Sequence, residues 1–548
     1  MKSNNILTPS NNPKVKKPRS PEAQKKDDSD NVLSRQNRLF YGDNLDILRN
    51  RITTESVDLC YIDPPFNSKR NYSLIYNNQG SEDLAQAEAF TDTWEWGDEA
   101  IEGYDYIQDI QNSNNDKFTE QTVALIRGLK EVLKEGALMA YLIHMTLRIV
   151  EIHRVLKQTG SFYLHCDPTA SHYMKLVLDS VFCSQGGNYL NEIIWCYNQG
   201  GKSRSWFGKK HDVIFWYSKS SEYKFNGADV RLPLTPHKQD KSGRSFGGRM
   251  GQDEDGRRYV EKWGTGRKKI YRYYLDEGKI PEDWWIDINS LQAAESERLG
   301  YPTQKPEALL ERIIKASSDE GDLVLDAYCG CGTTVSVAQK LNRNWIGIDI
   351  TYQSISLILK RIEDQYKQHE KWVQIEKNIL LDGVPRDMDS AIALANRKDD
   401  KTRKEFEKWA ILTYSDNQAR INAKKGADRG IDGIALFMID KETNGRAIFQ
   451  VKSGGANRQT IAALNSDRQR EKAEIGILIT MDEPTKPMKA EALLAGKYLH
   501  PLLNREEDRI QIVTVEDILS GRKMSLPMGR QDAIKRAEEV SGDQLNLI

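Results

Sequence analysis

An acid, two prolines and an aromatic stand together at Asp63-Pro64-Pro65-Phe66, directly after the apolar run Val57-Asp58-Leu59-Cys60-Tyr61-Ile62. The run reads as a buried strand, so these four residues fall at its carboxyl end. Asp63 offers a carboxylate acceptor and Pro64 a carbonyl, and the two locked φ angles stiffen the loop that presents them. Phe66 adds a flat face on which a heterocycle extruded from a duplex could stack. Such a pair of acceptors suits an exocyclic base amine, whose lone pair is delocalised into the ring until its N–H protons are hydrogen-bonded. A proline-rich turn capped by Asp explains the same residues without chemistry. On this segment alone both readings stay open.

A second element tips the balance. Asp322-Leu323-Val324-Leu325-Asp326-Ala327-Tyr328 reads as a buried strand, Cys329-Gly330-Cys331-Gly332-Thr333-Thr334 as a glycine turn, and Val335 to Leu341 as a helix. Trp345-Ile346-Gly347-Ile348-Asp349 is the next strand, ending in an acid that can bind two ribose hydroxyls. A dinucleotide fingerprint requires a third glycine where this chain has Val335. A nicotinamide cofactor is therefore disfavoured, and S-adenosylmethionine, which carries no pyrophosphate, fits better. The Cys329-x-Cys331 pair lacks the further ligands that structural zinc needs nearby, so each cysteine is read as a small turn residue.

Together the two segments resemble the β group of amino-directed, site-specific DNA methyltransferases, in which the catalytic loop precedes the cofactor loop. Tyr41-Gly42-Asp43-Asn44, Gly160-Ser161-Phe162-Tyr163-Leu164-His165-Cys166-Asp167 and Thr303-Gln304-Lys305-Pro306 extend the likeness from about Arg38 to Ile362. The resemblance implies a circularly permuted Rossmann-like α/β fold with an inserted target-recognition region. It assigns Asp63, Pro64, Pro65 and Phe66 to the target base, and Asp326, Tyr328, Gly330, Gly332, Thr333 and Asp349 to the cofactor. Asp43 is implied near the cofactor's adenine, and Thr303 and Lys305 near its carboxylate end. The chain departs from the family at Tyr328, usually Phe, at Cys329 and Cys331, usually small residues, and at Tyr301, often His. Within the family Asp at the first loop position accompanies adenine N6 and Ser cytosine N4, so Asp63 points to adenine.

The elements that carry these residues need a large frame, and 548 residues with 39% hydrophobic content supply it in several domains. Six scattered cysteines, no apolar run long enough to span a bilayer and a polar N-terminus imply a cytoplasmic protein with no membrane partner. A net charge of −1 hides a local bias: Asn198 to Tyr274 holds 18 Lys and Arg against 8 Asp and Glu. With Trp206, Phe207, Tyr259 and Trp263 interleaved, that stretch reads as the surface that follows a phosphate backbone, so double-stranded DNA is the expected partner. Gly200-Gly201-Lys202-Ser203 mimics the end of a P-loop, but Cys196 occupies the place of its first glycine, and no ATP site is expected.

Residues 1–30 are polar and expected to be disordered, 31–395 form the methyltransferase with recognition at about 198–300, and 396–403 read as a linker. A different domain is expected at 404–527, with a tail at 528–548. In it Asp432 heads one β-like run, Ile434 to Ile439, and Gln450 and Lys452 share a face of the next, Arg446 to Lys452. An acid opposite an acceptor and a lysine suits a hard divalent cation and phosphodiester hydrolysis. These residues resemble the Mrr-like branch of the PD-(D/E)xK restriction endonucleases, where Gln often replaces the second acid. The likeness implies Mg2+ held by Asp432 and Gln450, with Glu407, or its neighbour Glu405, supplying another carboxylate. The expectation is a single-chain modification and restriction enzyme, acting alone, as a homodimer or with a partner restriction subunit. Its alternatives are a solitary methyltransferase whose C-terminal domain only binds DNA, and an N4-cytosine enzyme.

Overall fold

The computed structural model describes residues 36–65, 70–75, 86–92, 94–109, 117–197, 205, 207–233, 244–245, 248–263, 270–292, 295–299, 301, 303–370, 372–396, 400–422, 430–439 and 443–526. The expected disordered N-terminus, the C-terminal tail, Phe66 and Trp206 lie outside them.

Nine strands form the larger sheet: β1 Asn37–Tyr41, β2 Val57–Ile62, β3 Leu156–Cys166, β4 Asn188–Cys196, β5 His211–Ser218, β6 Trp284–Trp285, β7 Leu323–Asp326, β8 Asn344–Asp349 and β9 Ile379–Asp382. Their order is β6-β4-β5-β3-β2-β7-β8-β1-β9, parallel throughout except for β5, which runs against both neighbours. All residues of β2 and β7 are buried, as continuous apolar runs of parallel strands covered on both faces should be. Alternate side chains feed the two faces. Leu59, Tyr61 and Val324 enter one apolar cluster, and Cys60, Ile62 and Leu325 the other.

Direct pairing of β2 with β7, Val324 opposite Leu59 and Leu325 opposite Cys60, positions the chemistry. Segments more than 260 residues apart in sequence become hydrogen-bonded neighbours, about 4.8 Å apart. Asp63, Asp326 and Asp349 therefore stand at three adjoining carboxyl ends, with Gly42 and Asp43 after β1 beside them. This is the edge where open parallel sheets bind ligands.

Within the basic stretch His211–Ser218 is β5 of the larger sheet, and the part after it is set off by a neck at Leu232 and Lys279. Leu232 and Lys279 exchange backbone hydrogen bonds of 2.7 and 2.9 Å. Beyond it, Arg244–Ser245, Gly248–Gln252, Arg258–Trp263 and Ile270–Tyr274 form an antiparallel sheet of their own. Trp263, Tyr271 and Tyr273 are exposed on it, and the Arg272 guanidinium lies 4.7 Å from the Tyr259 ring.

The C-terminal sheet orders β10 Ala419–Ile421, β11 Gly433–Met438, β12 Asn444–Lys452, β13 Ile475–Thr480 and β14 Ile510–Thr514, antiparallel to β12 and parallel from there on. Helices Arg458–Arg470 and Lys486–Leu494 cover one face, and α1, Asp400–Tyr414, the other. Residues 400–403, expected as linker, belong to α1 instead. They begin a helix whose later Phe406, Trp409 and Ala410 are buried. Among the described residues one apolar cluster joins the two sheets, holding Tyr352, Ile355 and Ile358 together with Phe406, Trp409 and Ala435. Within it Glu405, 8% exposed, accepts hydrogen bonds from the Tyr352 N–H (2.8 Å) and the Tyr41 hydroxyl (3.3 Å), and from Lys408 (2.7 Å).

Candidate active sites

Asp63 follows β2 with one carboxylate oxygen, Oδ2, on the Lys305 ammonium at 2.5 Å. Its other oxygen, Oδ1, is buried and has no hydrogen-bond partner among the described residues. An unfilled acceptor in a buried place costs free energy unless something donates to it. Pro64 is buried and Pro65 half-buried behind it. Lys305, expected at the cofactor's carboxylate end, is thus on the Asp63 carboxylate, in the segment with half-buried Thr303 that leads into helix Glu307–Ser317.

On the glycine side, Gly330 and Gly332 have φ of +48° and +74°, which only glycine adopts without penalty. A Cβ on Gly332 would stand 2.6 Å from Ile358 Cγ1. Asp349 fastens this turn: Oδ2 accepts the Gly330 N–H (2.9 Å), and Oδ1 accepts the N–H and hydroxyl of Thr351 (2.9 and 3.0 Å). Asp326 accepts the Tyr328 N–H (3.0 Å). Burial pushes Asp326 up to about 7 and Asp349 up to about 6, against the hydrogen bonds that favour their charged forms. Thr333 begins the helix Thr333–Lys340 and donates to the Lys305 carbonyl (3.3 Å), joining the glycine turn to the Lys305 segment. Cys329 and Cys331 are buried in the apolar cluster, and no group of three or more His, Cys, Asp or Glu side chains gathers as a metal cage among the described residues.

Asp43, expected near an adenine, caps helix Asn44–Arg51 by accepting the N–H groups of Leu45 and Asp46 (2.9 and 3.1 Å), and its other oxygen accepts from Arg148 (2.8 Å). Arg148, 3% exposed, also donates to Asn44, and Asn44 donates to the Ala327 carbonyl (2.8 Å). This web ties the turn after β1 to the turn after β7. His144 meets the Tyr328 hydroxyl at 2.9 Å and packs on Trp94, while burial and Arg148 keep its ring neutral. The sequence reading missed Asn44, His144 and Arg148 as site residues. The signal available was an arginine in the middle of the apolar helix Ala137–Val155, away from its last turn.

In the C-terminal domain Asp432 precedes β11 and accepts the Val451 N–H at 2.7 Å. Asp432, Glu407 and Lys452 line a cavity of about 120 Å³ together with Phe406, Gly430 and Ser453. Gln450 is not among its lining residues. Its Nε2 donates to the Gly430 carbonyl (3.1 Å), and its Oε1 is buried without a hydrogen-bond partner. Glu405, the alternative carboxylate, faces the larger sheet and is committed to Tyr352 and Tyr41.

The larger sheet thus defines a doubly wound α/β enzyme with a nucleotide-type turn beside a buried carboxylate acceptor, and the smaller one an α/β domain with an acid-and-lysine cavity. Residues 57–361, more than half of the chain, match the DNA methylase family, and the chain belongs to it. Residues 399–504 match the restriction endonuclease family. The Type II methyltransferase M.HpaI of Haemophilus parainfluenzae is 30% identical over 219 residues, 39% of this chain and 57% of that one. M.BglII of Bacillus subtilis is 30% identical over 233 residues with the same coverage. The DNA adenine methyltransferase YhdJ of Escherichia coli is 27% identical over 59% of this chain and 82% of its own. The chain therefore spans little more than half the length of the first two relatives. Among the described residues no helix is long and apolar enough to cross a membrane.

Proposed function

We propose that the chain transfers a methyl group from S-adenosylmethionine to the N6 amine of adenine in double-stranded DNA, and that its C-terminal domain cleaves DNA with the help of Mg2+. The observation that carries the first half is Asp63 Oδ1, a buried acceptor left open at the strand end that adjoins the glycine turn. When bound, the cofactor supplies a methyl carbon open to attack by an amine. Asp63 Oδ1 accepts one N–H of that amine, which returns lone-pair density to nitrogen, and Lys305 orients the carboxylate through Oδ2. Asp326 and Asp349 suit a cationic, hydroxyl-bearing ligand, because donors and positive charge relieve the desolvation that now raises both acids. The relative described as an adenine methyltransferase supports adenine as the target.

For the second half, the two carboxylates that line the cavity, Asp432 and Glu407, suit a hard cation retaining much of its water. Lys452 is placed to stabilise charge on a scissile phosphate. Six unpaired cysteines favour a reducing, cytoplasmic setting.

The test uses the full chain, double-stranded DNA and labelled S-adenosylmethionine, with modified bases located by sequencing. Wild type should deposit N6-methyladenine, and Asp63→Ala should lose transfer while cofactor affinity stays within about twofold. Methylated cytosine, or an active Asp63→Ala variant, would overturn the adenine assignment or the role of Asp63. Plasmid cleavage with Mg2+ by wild type, absent in Asp432→Ala and Lys452→Ala, is the corresponding outcome for the nuclease. A wild type that leaves both methylated and unmethylated plasmid intact would refute it.

A further inference from the structure

Asp63 works as an acceptor only if Lys305 occupies Oδ2 and leaves Oδ1 open. An ammonium with three donors next to a carboxylate has no intrinsic reason to stop at one oxygen. A second charge on the same sheet edge, felt by Lys305, supplies the reason.

That charge comes from the half of the sheet away from the cofactor. Strand β3 lies beside β2, with Leu164 opposite Ile62, and β5 lies beside β3, with Val213 opposite Cys166. Asp212 therefore reaches the same sheet edge as Asp63 from two strands over, roughly 10 Å of strand spacing. It is anchored there. The fully buried His165 ring touches Asp212 Oδ2 through Nε2 (3.0 Å) and the Tyr61 hydroxyl through Nδ1 (2.9 Å). Tyr197 donates to Asp212 Oδ1 at 3.2 Å. Tyr61 sits two residues before Asp63, so the chain of contacts starts on the very strand that carries the acceptor. Burial alone would push Asp212 up, yet His165 and the Lys305 charge outweigh it and hold the carboxyl below its usual range. Asp212 is thus an anion in a largely dry setting, its side chain 16% exposed, and Lys305 feels it.

We propose that Asp212, braced by His165 and Tyr197, is a positioning residue: it draws Lys305 to one side of Asp63 so that Oδ1 stays free for the base amine. This rests on the methyl-transfer reading above. Asp212 lies on the opposite side of β2 from the glycine turn and touches neither methyl donor nor amine in this scheme. Its removal lets Lys305 swing across both oxygens of Asp63, which closes the acceptor without dismantling either binding site.

Steady-state methylation by the full chain tests this with Asp212→Asn, which keeps the shape and the Tyr197 contact but removes the charge. The expected result is a kcat lower by about 10- to 100-fold, the scale of a misplaced catalytic group, with the KM for S-adenosylmethionine within about twofold and the melting temperature unchanged. Asp212→Glu should recover part of the rate. In a Lys305→Gln background, Asp212→Asn should have no further effect, because its influence passes through the ammonium. A kcat equal to wild type, a loss that merely tracks a lowered melting temperature, or full additivity with Lys305→Gln would overturn the proposal. A wild type that methylates no DNA would instead remove the reading on which it stands.

Discussion

Replacing Glu405 by Ala should loosen both halves of the molecule at once. The carboxylate is 8% exposed and accepts from the Tyr352 N–H and the Tyr41 hydroxyl, donors that belong to the larger sheet and its following helix. Truncation removes an acceptor shared by two buried donors, at about 1–3 kcal/mol each, so the loss is about 2–5 kcal/mol after relaxation. Glu405→Gln keeps one acceptor oxygen and should lose less than half as much. Tryptophan fluorescence during urea unfolding reads both parts, since buried Trp345 lies in the larger sheet and buried Trp409 on α1. The midpoint should fall with the two units still unfolding together. Cofactor affinity should fall too, because Tyr352 directly follows Thr351, which holds Asp349. A separate early transition that leaves the methyltransferase midpoint at its wild-type value would refute the shared core.

Gly332→Ala should cost about 1–2 kcal/mol for the left-handed backbone, plus the displacement forced by a Cβ 2.6 Å from Ile358. Thermal melting and cofactor titration should both register it, and an unchanged variant would mean that the turn has another conformation. The raised values of Asp326, about 7, and Asp349, about 6, set a pH window. Both acids bind protons more tightly folded than unfolded, so their stabilising contribution is complete below the ordinary carboxylate range and is lost as pH rises through about 6 to 7. A cationic ligand prefers the charged forms, and calorimetry should find S-adenosylmethionine binding tighter at about pH 8 than at about pH 6. Equal or weaker binding at the higher pH would exclude these acids from the cofactor site.

The legible part of the fold was the part that chemistry and burial write in residue types. Val57–Ile62 and Leu323–Asp326 lack polar alternation, which marks strands covered on both faces, and an acid ends or follows each. What remained hidden depended on angle or on distant partners. Glu405 and Glu407 are two residues apart on a helix and so point about 200° away from each other, and only the packing of Phe406 and Trp409 decides which faces the cavity. Arg148 and Asp43 are 105 residues apart, His165 and Asp212 47 apart, and no local pattern couples them. The charges at 400–403 read as linker because a polar helical turn and a solvated connection share one composition.

The neck at Leu232 and Lys279 has a practical corollary for grafting. Among the described residues, Arg244–Ser245, Gly248–Gln252, Arg258–Trp263 and Ile270–Tyr274 share no strand with the larger sheet, so a replacement with matching ends should leave that sheet standing. Such a graft leaves β5, and with it Asp212, in the host, so the strand ends that carry Asp63, Asp326 and Asp349 should keep their places.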